Sequence, residues 1–138
     1  MKKLSRHKHR IIALQILYSL DIKGQLVEQK VKEEFLKLQG NPDAEDLDCI
    51  DKYYQEITVG VVISQEKLDE NIQRFAVDWE LERISAITRN ILRIALWEIE
   101  NEVPTGVVIN EAVDLAKEFA GKKESSFVNG ILGKSVIS

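Results

Sequence analysis

The sequence has few of the residues that build disulfides and tight turns. It contains one cysteine, two prolines and seven glycines in 138 residues. The single cysteine, Cys49, excludes an internal disulfide, supplies no metal-ligand spacing and is typical of a chain in the reducing cytosol. The scarcity of proline and glycine, beside abundant leucine, isoleucine, glutamate and lysine, favours helices over a turn-rich β fold. The composition therefore predicts an all-α fold.

Long apolar runs are also missing. No run approaches the roughly 18 residues that a helix needs to cross a bilayer. Lys2 and Lys3 lead into further charges rather than into an apolar segment, which is unlike a signal peptide. With 138 residues, the chain fits the size range of one domain. We therefore expect a single cytoplasmic domain, residues 1–138, without a membrane partner.

The motifs of common enzymes are absent from the sequence as well. The only histidines, His7 and His9, lie two residues apart in a cationic segment that we expect to be exposed, which argues against a positioned catalytic base. The sequence has no Gly-rich phosphate loop, no His-Glu-x-x-His pair and no spaced cluster of carboxylates. We therefore expect a non-enzymatic protein without a cofactor or a metal.

Positive charge is concentrated at the N-terminus. The net charge is −4 at pH 7, yet residues 1–23 contain six Lys or Arg side chains and one carboxylate, a balance of +5. The rest of the chain therefore has a balance of −9. This polarity, rather than the net charge, is the first indication of a nucleic-acid partner.

Apolar residues recur at helical spacing along nearly the whole chain, which predicts about seven helices. The first helix is expected to start after an N-cap at Ser5 and to end near Gly24. The second ends at the turn signal of residues 40–43, and the third covers residues 47–61. Ser64 is a candidate N-cap for the fourth.

The later helices are expected to have different degrees of burial. Residues 84–99 are apolar on nearly all sides, which predicts the most buried helix. Pro104 fits the first turn of the next helix, and Gly121 ends it. The last helix is expected to open after Ser125 or Ser126.

No fixed repeat, low-complexity tract or long linker interrupts this pattern. We expect the helices to pack as two small bundles within the one domain. The N-terminal subgroup covers about residues 1–75, and the C-terminal subgroup covers about residues 76–138.

The basic N-terminus is the first candidate site. Lys and Arg side chains neutralise phosphates and release counterions, and Arg can also lie flat on an exposed base. Arg6 and Arg10 are four residues apart and therefore share a helix face. The pattern predicts RNA binding by five residues: Lys3, Arg6, His7, Lys8 and Arg10. The alternative is a charged terminus that is merely solvated.

Two phenylalanines near the C-terminus are the second candidate site. Phe119 and Phe127 flank a polar stretch that contains Lys122 and that we expect to be a loop. Unpaired RNA bases stack on aromatic rings while lysines hold phosphates, but phenylalanines at helix ends are also common core anchors. Both interpretations stay open. Packing in the core or at an interface is the simpler interpretation of three other aromatic residues: Tyr18, Trp79 and Trp97.

Several blocks of the sequence resemble the NusB family. Residues 6–18, read as Arg-x-x-x-Arg-x-x-Ala-x-Gln-x-Leu-Tyr, resemble the start of these proteins, and residues 91–98, Ile-Leu-Arg-Ile-Ala-Leu-Trp-Glu, resemble their central helix. Residues 104–119, with Val-Val-Ile-Asn-Glu-Ala-Val, followed by residues 127–132, Phe-Val-Asn-Gly-Ile-Leu, resemble their C-terminal signature. The two C-terminal blocks in this order are highly specific.

This resemblance implies a fold of two small helical bundles and no catalysis. It also implies a partnership with the small-subunit ribosomal protein NusE. The heterodimer is expected to bind the single-stranded boxA element of nascent RNA, notably in ribosomal transcripts. The heterodimer is then expected to join an antitermination complex on RNA polymerase with other Nus factors.

The resemblance also implies roles for individual residues. It places RNA contacts at the basic start and at two aromatic rings: Arg6, Lys8, Arg10, Phe119 and Phe127. It places a NusE contact at Tyr18. The basic start reads Arg-His-Lys-His-Arg rather than a run of arginines, which weakens bidentate contacts with phosphates.

A helical protein-interaction scaffold without specific RNA binding is the alternative hypothesis. In that case the basic end is incidental, and Tyr18 and Trp97 serve a protein interface. Preference for boxA RNA over a scrambled strand separates the two hypotheses, because a scaffold would bind RNA only weakly and in a salt-sensitive way.

Overall fold

The computed structural model describes residues 4–39 and 52–137. In chain order its helices are α1 (Arg6–Ile22), α2 (Glu28–Gln39), α3 (Tyr53–Ile63), α4 (Gln65–Phe75), α5 (Ala86–Glu100), α6 (Thr105–Phe119) and α7 (Lys122–Ile137). A short 3-10 helix, Leu81–Arg83, lies between α4 and α5. The described ranges contain no strand. The all-α prediction with about seven helices is confirmed.

The helices form two compact units. The first, Met1–Ile63, contains α1, α2 and α3, and the second, Ser64–Ser138, contains α4 to α7. α4 packs against α5 and α7, and its Leu68 and Ile72 are fully buried. α4 therefore belongs to the second unit, whereas the predicted N-terminal subgroup, about residues 1–75, includes it. One domain over the whole chain stays a prediction.

The first unit is built around the buried face of α1. Ser5 is the N-cap of this helix, as predicted, and its Oγ accepts a hydrogen bond from the backbone N–H of Lys8 at 3.1 Å. α2 and α3 pack against α1 around a shared apolar cluster that contains Ile16, Leu20, Val31, Phe35 and Tyr54. The predicted turn at residues 40–43 and the predicted start of the third helix at residue 47 lie outside the described residues, as does Cys49.

The second unit is organised by α5, the most buried helix of the described chain, as predicted. Its apolar residues are accompanied by buried polar ones, which the expectation of an all-round apolar helix did not include. Arg93 is 2% exposed and forms a bidentate ion pair with Asp69 of α4, with Nε–Oδ1 at 2.7 Å and Nη2–Oδ2 at 2.9 Å. Nη1 of Arg93 also donates to Oδ1 of Asn90 at 2.9 Å. Fixed polar contacts therefore hold α4 on α5.

The start of α7 differs from the expectation. Gly121, at φ +111°, ends α6, and its backbone N–H donates to the Ala116 carbonyl at 2.8 Å. α7 begins immediately afterwards at Lys122 rather than after Ser125. The expected polar loop is therefore wrong: one positive-φ glycine is enough to turn the chain, and the polar residues that follow occupy the first turns of a helix.

Two other predicted helix ends need small corrections. Ser64 precedes α4, but its side chain makes no capping hydrogen bond. Pro104 occupies the N-cap position of α6 rather than its first turn, a difference of one residue that lies within the usual spread of helix boundaries. The Asn129-Gly130 pair lies inside α7, in agreement with the prediction.

Candidate nucleic-acid interface

The first turn of α1 presents part of the predicted basic cluster. Arg6 and Lys8 are exposed and His7 is half-buried, whereas Lys3 lies outside the described residues. The guanidinium carbon of Arg6 lies 4.1 Å from the centroid of the Tyr53 ring in α3, which is cation–π contact. The exposed part of the cluster is therefore a pair of cations, one of which rests on an aromatic ring.

Arg10 does not share this exposure. It is only 4% exposed, although it lies one helical turn after Arg6. The expectation that both guanidinium groups follow a nucleic-acid backbone is therefore not met, because a buried guanidinium has little surface to offer a phosphate.

His9 is also buried, at 0% exposure, contrary to the expectation of an exposed histidine pair. Its ring stacks on Tyr54, with centroids 5.8 Å apart, and meets Tyr53 edge-on at 6.2 Å. Nδ1 accepts a hydrogen bond from the backbone N–H of Tyr54 at 3.1 Å. His9 thus satisfies a donor in the first turn of α3, where backbone N–H groups have no partner within the helix.

Tyr18, the predicted partner-binding residue, lies in the same helix. It is half-buried and is located two turns after Arg10. A half-buried tyrosine fits either a core or an interface role.

The second unit contains the predicted aromatic site. Phe119 is the last residue of α6 and is 38% exposed, and Lys122 is an exposed residue at the first position of α7. The N-terminus of a helix bears positive partial charge, so this lysine adds its cationic group to an end that already favours anions. An exposed aromatic residue and a cationic helix end are thus separated only by the Ala120-Gly121 link.

Phe127 has a different environment. It is half-buried in α7, and its ring meets Trp79 in an edge-to-face arrangement with centroids 5.9 Å apart. Both rings line a groove that also contains Arg83, Ser85 and Lys123. Trp79 itself is 49% exposed. Phe127 therefore has a packing partner, and the stacking interpretation fits Phe119 better.

Polar contacts hold the neighbouring helix ends in place. Ser85 is the N-cap of α5, and its Oγ accepts from the Thr88 backbone N–H at 3.3 Å. Oγ1 of Thr88 donates to Oε2 of Glu124 at 2.8 Å, which ties the start of α5 to the first turn of α7. Glu124, which follows Lys122 and Lys123 in the chain, is thus engaged in a structural contact.

Two features of this region were not predicted: the burial of His9 and the position of Tyr53. The sequence contains a signal for the first but not for the second. The spacing of His9, Ala13, Ile16 and Leu20 is helical and marks the buried face of α1, so the burial of His9 could have been predicted. No such signal exists for Tyr53, because the start of α3 is far from α1 in the chain: His9 and Tyr54 are 45 residues apart. Only folding brings the start of α3 to the start of α1.

Among residues 4–39 and 52–137, no group of three or more His, Cys, Asp or Glu side chains is arranged to hold a metal ion. In the same part of the chain, no helix combines the length and the apolar character needed to cross a membrane.

Comparison with known proteins identifies the family. A sequence model described as the NusB family matches residues 7–136 of the chain. The chain belongs to the NusB family. Its members are named as transcription antitermination proteins and are non-enzymatic, in agreement with the sequence-based expectation.

Relatives within the NusB family cover nearly the whole chain. The transcription antitermination protein NusB of Halothermothrix orenii is 46% identical over 134 residues, which cover 97% of this chain and 98% of the relative. The NusB protein of Dehalococcoides mccartyi strain CBDB1 is 44% identical over 130 residues, which cover 93% and 87% of the two chains.

Solved NusB structures have the same fold. T. maritima NusB superimposes with a TM-score of 0.77 at 27% identity, covering 96% of this chain and 91% of that one. A crystal structure of the antitermination factors NusB and NusE in complex with double-stranded RNA contains a chain with a TM-score of 0.73 at 26% identity, covering 95% and 96%.

Proposed function

We propose that this NusB-family chain binds the single-stranded boxA element of nascent RNA, notably in ribosomal transcripts, as a heterodimer with the ribosomal protein NusE. The heterodimer then joins other Nus factors in an antitermination complex on RNA polymerase. Binding and positioning, not catalysis, are its contribution.

The observation that carries the RNA part of this proposal is the exposed cationic start of α1. Arg6 and Lys8 are exposed within an N-terminal segment of balance +5, although the chain as a whole has net charge −4. Exposed Lys and Arg side chains replace the counterions of phosphates, and this replacement provides most of the affinity that is independent of base sequence. We therefore include Lys3, Arg6, His7 and Lys8 in the RNA surface and leave out buried Arg10.

Base contacts are assigned to the second unit. Phe119, which is 38% exposed, offers a stacking face for an unpaired base, and Lys122 provides a cation three residues beyond the end of α6. Phe127 is included in the RNA-binding set as well, since it is only half-buried although it packs against Trp79.

The partner surface is assigned to Tyr18. This residue lies beyond the basic cluster on α1, so the contacts with NusE and with phosphates should be separable. Tyr18→Ala is expected to lower the affinity for purified NusE while the isolated protein still binds RNA. If this variant captures NusE in a pull-down as well as the wild type does, Tyr18 is not part of the interface.

Fluorescence anisotropy with labelled RNA tests the proposal directly. The full chain is titrated with single-stranded boxA RNA, with a scrambled strand and with a boxA duplex, each with and without NusE. We expect preference for the single-stranded boxA probe, and a further gain in affinity with NusE. Equal, weak and salt-sensitive binding to all three probes would instead favour a helical protein-interaction scaffold. Preference for the duplex would show that the protein binds double-stranded rather than single-stranded boxA RNA.

A further inference from the structure

A small groove of the second unit combines aromatic and cationic side chains. Its lining includes Trp79, Arg83, Lys123, Glu124 and Phe127, and its volume is about 100 Å³. Pockets that enclose a whole small-molecule ligand are larger, roughly 300 to 1,000 Å³. This groove, called the Trp79 groove below, therefore suits one flat group that stays partly in solvent rather than an enclosed cofactor.

Trp79 is the most exposed aromatic residue of the groove. Phe127 meets its ring in an edge-to-face contact, with centroids 5.9 Å apart and an interplanar angle of 72°, yet Trp79 remains 49% exposed. The contact with Phe127 thus supports the indole without burying the residue. Exposed aromatic rings are the side chains on which the bases of single-stranded RNA stack.

The loop that contains Trp79 is held by Gln73 of α4. Nε2 of Gln73 donates to the carbonyl of Ala76 at 3.3 Å and to the carbonyl of Trp79, and Oε1 accepts from the backbone N–H of Leu81 at 2.9 Å. The backbone N–H of Trp79 also donates to the Ala76 carbonyl at 3.1 Å. Because these contacts already order the loop, ligand binding at Trp79 requires little further loss of conformational freedom.

Charge is distributed unevenly around the groove. Lys123 is exposed in the first turn of α7 and directly follows exposed Lys122. The loop, in contrast, has three exposed carboxylates within residues 78–82, and Arg83 forms an exposed ion pair with one of them, Glu80, at 3.8 Å. Carboxylates repel phosphates, so a phosphate is expected on the side of α7 and not beside the loop.

We propose that the Trp79 groove binds one unpaired base of the RNA, which stacks on Trp79, while Lys123 contacts the adjoining phosphate. This inference rests on the proposed function and adds a second base position to the one assigned to Phe119. The groove adjoins that surface, because Phe127 lines it and Lys123 is the neighbour of Lys122. Stacking on an aromatic ring beside a lysine that holds the backbone is a common mode of single-strand binding.

Anisotropy titrations with single-stranded boxA RNA test the stacking contact. Trp79→Leu should weaken binding by about five- to hundredfold with an unchanged salt slope, whereas Trp79→Phe, which keeps a ring, should stay within about threefold of the wild type. The control is Val77→Ala, since Val77 is 77% exposed on the same loop and does not line the groove. Wild-type affinity of Trp79→Leu, or an equal loss in Val77→Ala, would overturn the inference.

Tryptophan fluorescence tests the same contact without depending on Trp79→Leu. The chain contains two tryptophans, so Trp79→Phe leaves the emission of Trp97 alone. Saturating RNA should quench the emission of the wild type, because a base stacked on an indole quenches it. The quenching should be absent in Trp79→Phe under conditions in which anisotropy shows that this variant is saturated. Equal quenching of both proteins would exclude stacking on Trp79.

Lys123→Gln tests the phosphate contact. It should reduce the slope of log K against log salt by about 0.7, the value for one contact on a single strand. An unchanged slope would contradict the contact.

The outcomes also separate this inference from the proposed function. A wild type that binds boxA RNA without any quenching would refute the Trp79 site alone, while a wild type that binds no RNA would refute both proposals. If Trp79→Leu binds RNA normally but captures less NusE, the groove belongs to a protein interface and the inference is wrong.

Discussion

An arginine in the first turn of α1 and an arginine in the middle of α5 each contact a planar group, but only the arginine of α1 is exposed. Arg93 of α5 is 2% exposed and engages Asp69 through two nitrogen–oxygen contacts of 2.7 and 2.9 Å. Arg6 of α1 is exposed and lies with its guanidinium carbon 4.1 Å from the centre of the Tyr53 ring. A carboxylate accepts hydrogen bonds from the first, whereas the second rests on an aromatic face and is exposed.

This difference separates cations that stabilise the fold from cations that are suited to binding. The charge of Arg93 is balanced inside its unit, so this residue has little left to attract a ligand. Arg6, in contrast, is exposed. Substitutions in the two regions should therefore change different measured quantities, and four predictions test this separation.

The largest effect is expected inside the second unit. Arg93→Met leaves the mostly buried Asp69 carboxylate without its counter-charge, which should lower the free energy of unfolding by about 3 to 5 kcal/mol. Chemical denaturation followed by circular dichroism measures this loss. The double variant Arg93→Met with Asp69→Leu should recover most of it, since no buried charge is then unpaired. A single variant as stable as the wild type would show that the pair contributes nothing.

A smaller effect on stability is expected from His9, which belongs to the α1 turn but faces the interior. His9→Phe keeps an aromatic ring and removes the acceptor for the Tyr54 backbone N–H, at a cost of about 1 to 3 kcal/mol for an unsatisfied buried donor. Chemical denaturation measures the total loss of folding stability, and hydrogen exchange of the Tyr54 amide shows whether the loss arises at the start of α3. His9→Asn, which can place an oxygen near the position of Nδ1, is the matched control. Unchanged amide exchange in His9→Phe would contradict the capping role.

The two phenylalanines of the second unit allow the same comparison between an exposed and a packed side chain. Phe119→Ala should weaken RNA binding by about 1 to 3 kcal/mol with little dependence on salt, as expected for stacking. Because Phe119 is 38% exposed, its folding stability should change less than that of Phe127→Ala, which loses the contact with Trp79. RNA titration and denaturation of both variants decide the matter. Normal boxA binding by Phe119→Ala at low and high salt would exclude the stacking role.

The smallest effect on stability is expected at the exposed cations. Replacing Arg6 and Lys8 with Gln should lower the free energy of unfolding by no more than about 1 kcal/mol, from the loss of the exposed Arg6 contact with Tyr53. It should reduce the salt slope of RNA binding by about 1.4, from two contacts of about 0.7 each on a single strand. The control replaces Lys32 and Lys37, which are exposed and paired with glutamates of α2, with Gln. This control changes the net charge equally. If both pairs flatten the slope alike, the basic start acts only through net charge.

The pattern of apolar residues was sufficient to predict the helices, because helical periodicity is a local property. Ser5 caps α1 as expected, and α5 is the most buried helix. The predicted start of α7 was wrong because the polar residues after Gly121 suggested a loop. Their placement in a helix depends on the Gly121 turn and on contacts such as the hydrogen bond from Thr88 to Glu124, which lie 36 residues apart.

The candidate site divides in the same way. Composition and spacing identified Arg6 and Lys8 as cations at the start of a helix, and both are exposed. Spacing also suggested that Arg10 is equivalent to Arg6, yet Arg10 is 4% exposed. A helix face is defined by the sequence, but whether that face meets solvent depends on what packs against it.

By itself, the sequence determined the all-α fold, the polarised charge and the NusB family, because composition, periodicity and signature blocks are properties of the chain alone. Only the tertiary structure decided which cations are accessible, that His9 caps the start of α3, and that Tyr53 lies beneath Arg6. These features depend on contacts between residues of different helices, and the free energy of such contacts exists only after the helices have packed.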